Sequence, residues 1–199
     1  NDGPQVVSVV RPGRARLSRH AWLGALCYGA FGYGYIIPAT FLPALAREAI
    51  TNPAVFGWVW PVFGAAAAVS TALAARCLPM LSPRRLWAYG QLVLAIGVIA
   101  PVFAVNLYML MFAALCVGGT FMVITMAGIQ EARRLGGAQA PRLIAVYTAA
   151  FALGQIVGPL TVGLFHGGGL MLPSLLAALA LAASSLTLVL SARSSGDFD

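Results

Sequence analysis

FGYGYIIPATFLPALARE, residues 31–48, lies in a long apolar run and yet contains two glycines and two prolines. Each proline removes a backbone hydrogen bond from a helix, and each glycine lowers helix stability in water. In a membrane protein such interruptions are tolerated where neighbouring helices or a water-filled cavity surround the backbone. The stretch therefore predicts a membrane helix whose outer half kinks or unwinds at Pro38 and Pro43, with a static packing kink as the alternative.

The composition of the whole chain agrees with a lipid environment. Hydrophobic residues make up 60% of its 199 residues and charged residues only 9%, whereas a soluble domain is about half apolar and roughly a quarter charged. A chain of this length cannot bury so much apolar surface in one aqueous core. Because the alternating pattern of a membrane β-barrel is absent, the sequence predicts an all-α membrane protein.

Apolar runs bounded by charges, prolines or turn residues predict six transmembrane helices. Each run is long enough, at about twenty residues, to cross the hydrocarbon layer of a bilayer. The residues before and after the six runs are polar and predict a cytoplasmic linker, entered midway, at 1–20 and a cytoplasmic tail at 193–199. The predicted spans are residues 21–46, 54–75, 86–105, 107–130, 142–165 and 169–192.

The basic residues orient this bundle. All twelve are arginine, and eleven of them fall on one side of the membrane if the six spans alternate in direction. Only Arg47 falls on the other side. This bias predicts a multi-pass membrane protein with both termini cytoplasmic. It also accounts for the net charge of +7, so we expect no nucleic-acid partner.

The sequence indicates no cofactor, metal site or enzyme. The three cysteines form no CxxC pair, and no carboxylate cluster suited to a metal is present. A membrane enzyme would need a nucleophile and a base buried together, and neither a Gly-x-Ser-x-Gly motif nor a membrane-depth pair of His and Ser is found. We therefore expect a protein that is not an enzyme.

The spans divide into two sets of three. Spans one and four are rich in glycine and polar side chains, whereas spans three and six consist mainly of leucine, alanine and valine. Interrupted segments at corresponding positions of two halves are typical of transporters built as inverted repeats. The pattern predicts a 3+3 arrangement in which spans one and four line a cavity.

Three stretches carry a resemblance to a known family. GYGYIIPATFLPALARE from Gly32, GGTFMVITMAGIQEARRL from Gly118 and YTAAFALGQIVGPLTVGLF from Tyr147 resemble the carboxy-terminal half of a major facilitator superfamily transporter, in particular the bacterial YbfB/YjiJ-type members. The resemblance implies helices seven to twelve of a twelve-helix fold, with residues 1–20 as the end of the central loop. The implied partner is a missing amino-terminal six-helix half, or a second copy of this chain in a homodimeric carrier.

Two motifs in the chain are similar to motifs of that superfamily. ALAARCLPMLSPRRL, residues 72–86, resembles a weakened cytoplasmic gating loop that retains Arg76, Arg84 and Arg85 but has Ala75 where an aspartate is expected. Simple anchoring on the cytoplasmic side is the alternative role for these arginines.

The second motif, GQIVGPLTVG at residues 154–163, resembles one that antiporters carry in an earlier helix. Gly154 and Gly158 lie on a small-residue face that allows close helix packing, and Pro159 permits a hinge. Hinge and packing roles are likewise expected for Gly32, Gly34 and Pro38 of span one.

Polar side chains within the spans are the candidates for a substrate cavity. Gln155 is the strongest, because an amide at membrane depth needs partners, although a helix-to-helix hydrogen bond would satisfy it equally. Glu131 is expected to pair with Arg133 and Arg134 rather than to carry protons. The predicted function is transport of a small uncharged or amphipathic solute by alternating access. The candidates are Tyr28, Tyr35, Thr40, Thr120, Thr125, Thr148 and Gln155.

Overall fold

The computed structural model describes residues 17–50, 52, 57–77, 81–165 and 169–194. Within these ranges the regular secondary structure is helical, which confirms the all-α prediction. A short 3-10 helix, Gly137–Gln139, joins the fourth and fifth α-helices. The α-helices are α1 (Arg19–Ala49), α2 (Val59–Cys77), α3 (Pro83–Phe103), α4 (Leu107–Gly136), α5 (Ala140–Leu164) and α6 (Met171–Ser194).

Each predicted span overlaps one of these helices, with differences at the ends. The fourth helix continues through the polar segment after residue 130 to Gly136, because nothing in that segment breaks a helix until the turn at Gly137, whose φ is 49°. Residues 1–16 of the predicted linker and 195–199 of the predicted tail lie outside the described residues.

Length and hydropathy identify four stretches of the described residues that could cross a membrane. The third of them contains both α4 and α5, so five helices are covered, and α2 falls outside the four. The chain is therefore a multi-pass membrane protein by composition, while six crossings remain a prediction. The stretches are Arg19–Arg47, Pro83–Phe103, Leu107–Leu164 and Met171–Ala192.

The helices pack as a single bundle around α1 and α4. We call the end where α1, α3 and α5 begin the inner end, and the opposite end the outer end. The most extensive contacts are those of α1 with α5, α3 with α4, α3 with α6, and α2 with α4. Smaller contacts join α1 to α6 and to α4. Side chains such as Phe31, Leu94 and Ile124 are fully buried where these helices meet.

The prolines of the opening stretch do not interrupt α1. The helix runs unbroken from Arg19 to Ala49 with Pro38 and Pro43 inside it, so the predicted unwinding of its outer half does not occur. Pro38 is buried and Pro43 is half-buried. Neighbouring helices therefore hold the segment in helical form, as expected for prolines within a packed membrane bundle.

Glycines bring α1 and α5 into backbone contact. A methyl group added at Gly32 would overlap the carbonyl oxygen of Phe151, and one added at Gly154 would overlap the carbonyl oxygen of Gly29. At Gly158 the added group would meet the side chain of Ile36. The predicted packing role of Gly32, Gly154 and Gly158 thus has a specific geometry, in which each glycine removes the side chain that would hold the helices apart.

Candidate functional site

An aromatic cluster occupies the centre of the bundle, where α1, α4 and α5 meet. The rings of Tyr35 and Phe121 stack with their centroids 4.4 Å apart and an interplanar angle of 30°. Phe151 lies beside both rings, at 6.3 Å from Tyr35 and 6.4 Å from Phe121. All three are half-buried, so part of each ring faces out of the bundle. We call Tyr35, Phe121 and Phe151 the aromatic face.

Buried rings support this face from behind. Phe31 is fully buried, and its ring centroid lies 5.0 Å from that of Phe151. Tyr28, also buried, stacks on Tyr147 at 5.5 Å and interacts with the side chain of Thr125. These packed rings fix the orientation of the exposed ones, because a ring in contact with several others has few rotamers available.

The candidate threonines bond mainly within their own helices. Thr120 donates to the carbonyl oxygen of Cys116 at 2.7 Å, Thr125 to that of Phe121 at 2.8 Å, and Thr148 to that of Ile144 at 2.9 Å. Their hydroxyl oxygens can still accept hydrogen bonds. Thr120 is buried, Thr125 half-buried, and Thr148 and Thr40 exposed. Of these threonines, Thr125 interacts with the hydroxyl of a buried ring of the cluster, that of Tyr28.

Gln155, the strongest candidate from the sequence, lies half-buried on α5. No hydrogen bond joins it to a described residue. Six residues further along α5, the hydroxyl of Thr161 lies 3.3 Å from that of Tyr33 and donates to the carbonyl oxygen of Gly158 at 2.7 Å. Gln155 thus keeps its amide available for a ligand or a further helix, and the bond from α1 to α5 is made by Tyr33 instead.

A different glutamine, Gln91, is the fully buried amide. Its Nε2 donates to the carbonyl oxygen of Cys27 at 2.9 Å, and its Oε1 accepts from the hydroxyl of Ser184 at 2.6 Å. It therefore ties together α1, α3 and α6. Sequence reasoning missed it, although a single amide next to Gly90 in an otherwise apolar helix is a detectable signal.

Arg84 and Glu131 form a buried ion pair at the inner end. Arg84 lies in the first turn of α3 and is 3% exposed, and Glu131 of α4 is 1% exposed. The Nε and Nη2 of Arg84 donate to Oε1 of Glu131 at 2.9 and 2.6 Å, while Nη1 donates to the carbonyl oxygen of Ser191 at 3.0 Å. An ionised pair at this depth is tolerated because each charge is matched and hydrogen-bonded.

This pair corrects one expectation. Arg84 is a buried residue in the first turn of α3 rather than part of a free loop, and its guanidinium neutralises the enclosed carboxylate of Glu131. Of the two arginines expected beside Glu131, Arg134 does pair with it, at 2.9 Å from Oε2. Arg76 is exposed at the end of α2 and Arg85 is half-buried.

Charged side chains lie away from the aromatic face. Among the described residues the charged side chains lie near helix ends, and no group of three or more His, Cys, Asp or Glu could hold a metal ion there. The face therefore offers rings and hydroxyls without a formal charge. Such a surface suits contact with an uncharged or amphipathic molecule.

A bundle of long apolar helices with buried polar contacts defines the class of polytopic membrane proteins. The chain belongs to the family described as the uncharacterised MFS-type transporter YbfB, whose family model matches residues 10–190. The resemblance to the major facilitator superfamily is thereby confirmed. No curated protein matches the chain significantly.

Proposed function

We propose that this chain is the carboxy-terminal six-helix half of a secondary transporter, in which α1–α3 and α4–α6 form an inverted repeat and the aromatic face contacts a small solute during alternating access. The observation that carries the proposal is the stacked pair Tyr35 and Phe121. These residues take equivalent places in α1 and α4 when the two triplets are aligned, so the pair marks the axis that relates the repeats.

Matched contacts support the repeat. A methyl group at Gly32 of α1 would overlap the carbonyl oxygen of Phe151 on α5, and one at Gly118 of α4 would overlap the carbonyl oxygen of Phe63 on α2. The same contact therefore occurs twice with the helices exchanged. In each case a glycine of the first helix in a triplet meets a phenylalanine of the second helix in the other triplet.

A second matched pair concerns the third helices. The hydroxyl of Ser184 on α6 lies 3.5 Å from the carbonyl oxygen of Cys27 on α1. The corresponding position on α3 is Gly97, where an added Cβ would lie 3.5 Å from the carbonyl oxygen of Ala113 on α4. Inverted repeats of this kind bind substrate near the midplane, where the two repeats meet. The aromatic face lies at that level of α1 and α4.

The remaining half of the cavity would come from the amino-terminal six helices. A shallow apolar groove of about 510 Å³ runs between α1 and α5 and is lined by small residues such as Ala25 and Gly154 and by larger ones such as Trp22 and Leu153. Small residues at the base of a groove allow another helix to approach closely. In a homodimeric carrier, the alternative, the same groove would receive a second copy. Both termini would be cytoplasmic in the bacterial inner membrane.

The test uses accessibility, because the substrate is unknown. Tyr35→Cys in a cysteine-free background is treated with a membrane-impermeant thiol reagent from each side of sealed vesicles. Alternating access predicts labelling of position 35 from both sides. The matched control is Tyr108→Cys, which lies at the outer end and is 82% exposed, and which should react from one side only. Labelling of position 35 from one side alone, or from neither, would refute alternating access at this face.

A further inference from the structure

The outer end of the bundle contains an apolar pocket to which no role has been given above. It lies between α1, α3 and α6 and has a volume of about 230 Å³. Among the described residues its lining is mainly apolar, and the one side-chain hydroxyl there belongs to Ser174. Lining residues that matter for the argument are Leu42, Leu45, Val98, Pro101, Met171 and Ser174.

The inner end has an equivalent space that is filled. This comparison rests on the inverted repeat proposed above. In that repeat, the region between α1, α3 and α6 at the outer end corresponds to the region between α4, α6 and α3 at the inner end. A cavity of only about 10 Å³ lies partly in this region and is lined also by residues of α1 and α5. Its lining includes Arg84, Trp87 and Glu131.

The difference arises from three exchanged residues. In the proposed repeat, with Gly32 aligned on Gly118 and Gly97 on Ser184, Met171 takes the position of Arg84, Leu45 that of Glu131, and Ser174 that of Trp87. At the inner end the ion pair and a fully buried indole fill the space. At the outer end a serine stands where the indole would be, and the volume remains open. The pocket opens to the surface of the bundle, so a molecule from outside can enter it.

Water is a poor occupant of this pocket. A buried water needs two to four polar partners, and among the lining side chains only Ser174 offers a hydroxyl. Two of the apolar lining side chains are exposed, Met171 at 59% and Val105 at 48%. In a membrane these side chains contact lipid, so hydrocarbon chains are the molecules present next to the opening.

We propose that this pocket is a binding site for the acyl chain of a phospholipid from the outer leaflet. The chain enters past Met171 and lies against Val98 and Ser174, in the space that Trp87 fills at the inner end. The headgroup stays outside, at the level of the α3–α4 connection. Buried apolar contact along the chain provides the binding free energy.

Photolabelling tests the site. The protein is reconstituted in vesicles containing a phosphatidylethanolamine with a diazirine near the end of one acyl chain, irradiated, and mapped by mass spectrometry. Val98 is 3% exposed, so label on Val98 requires a chain inside the pocket. Leu92 of the same helix is 47% exposed and reports ordinary contact with lipid. We expect both residues to be labelled in the wild-type protein.

Filling the pocket should remove one label and leave the other. Ser174→Trp should abolish labelling of Val98 without changing that of Leu92, and Leu172→Trp, on the exposed side of α6, should change neither. If Ser174→Trp fails to assemble, Ser174→Leu takes its place with a partial loss of label. Unlabelled Val98 in the wild type, or equal labelling after Ser174→Trp, would overturn the proposal.

A water-soluble apolar diazirine that labels Val98 where the phospholipid does not would assign the pocket to a free solute and also overturn the proposal. Failure of the accessibility test at Tyr35 would leave the labelling of Val98 unaffected. The two proposals can therefore fail separately.

Discussion

Breaking the buried ion pair should destabilise the bundle strongly. Glu131→Gln keeps the size of the side chain but removes the carboxylate charge with which the buried guanidinium of Arg84 pairs. Both side chains are enclosed, with relative exposures of 4% and 2%, so solvent cannot compensate. Removing one partner of such a pair costs about 3–5 kcal/mol. The free energy of unfolding, measured by denaturant titration of the purified protein in mixed micelles, should fall by that amount.

The double variant separates the pair from its parts. Arg84→Met combined with Glu131→Leu gives the inner end the residues that the outer end has in Met171 and Leu45. Replacing a buried ion pair by apolar residues of similar size is often neutral or stabilising, so the double variant should lose much less stability than the two single variants together. Such a double-mutant cycle isolates the coupling between the two side chains.

The surface member of the network provides the control. The side chain of Arg134 is 40% exposed, so Arg134→Gln should cost less than about 1 kcal/mol. A loss of about 1 kcal/mol or less for Glu131→Gln, or strict additivity in the double variant, would refute the reasoning that the buried charges depend on each other.

Three further variants test the packing. Gly118→Ala should destabilise the protein, because the methyl group would overlap the carbonyl oxygen of Phe63. Its control is Gly119→Ala, whose methyl group meets nothing within 4 Å and which should be neutral or stabilising by up to about 1 kcal/mol from helix propensity. Equal unfolding free energies for these two variants would contradict the contact at Gly118. Gln91→Leu should lower the free energy of unfolding by about 1–3 kcal/mol, because the hydrogen bonds of the amide with Cys27 and Ser184 are lost. A thermal midpoint equal to that of the wild type would argue against this role of the amide.

The sequence predicts the helices well because their signal is local. A run of about twenty apolar residues can satisfy its backbone in lipid only as a helix, and all six predicted runs overlap helices of the structure. Interruptions inside a helix are harder to predict. Pro38 and Pro43 were expected to kink or unwind the outer half of α1, and the unwinding does not occur. Whether a proline unwinds a helix is decided by the neighbours that pack around it, and the sequence of one helix does not contain them.

The candidate site is less predictable because it depends on which helices meet. Gln91 and Gln155 are both single amides in apolar helices, and helices that are apolar on all sides give no periodic signal to tell interior from exterior. The pairing of Arg84 with Glu131 joins residues far apart in the chain. Tyr35 was predicted as a cavity residue because it lies seven residues from Tyr28, a spacing that places both on one face of a helix. Its stacking partner Phe121 was not predicted, because that contact belongs to the tertiary fold.

The backbone contacts made by the glycines of α1 determine how the bundle can move. The main chains of α1 and α5 lie in close contact at Gly32 and Gly154 with no side chain between them, so we expect the two helices to move together. The same holds for α2 and α4 at Gly118. Between α1 and α4, however, the rings of Tyr35 and Phe121 meet, and rings can rotate and restack. A change of shape in this half is therefore expected at the aromatic face, where the contact between α1 and α4 is the easiest to rearrange.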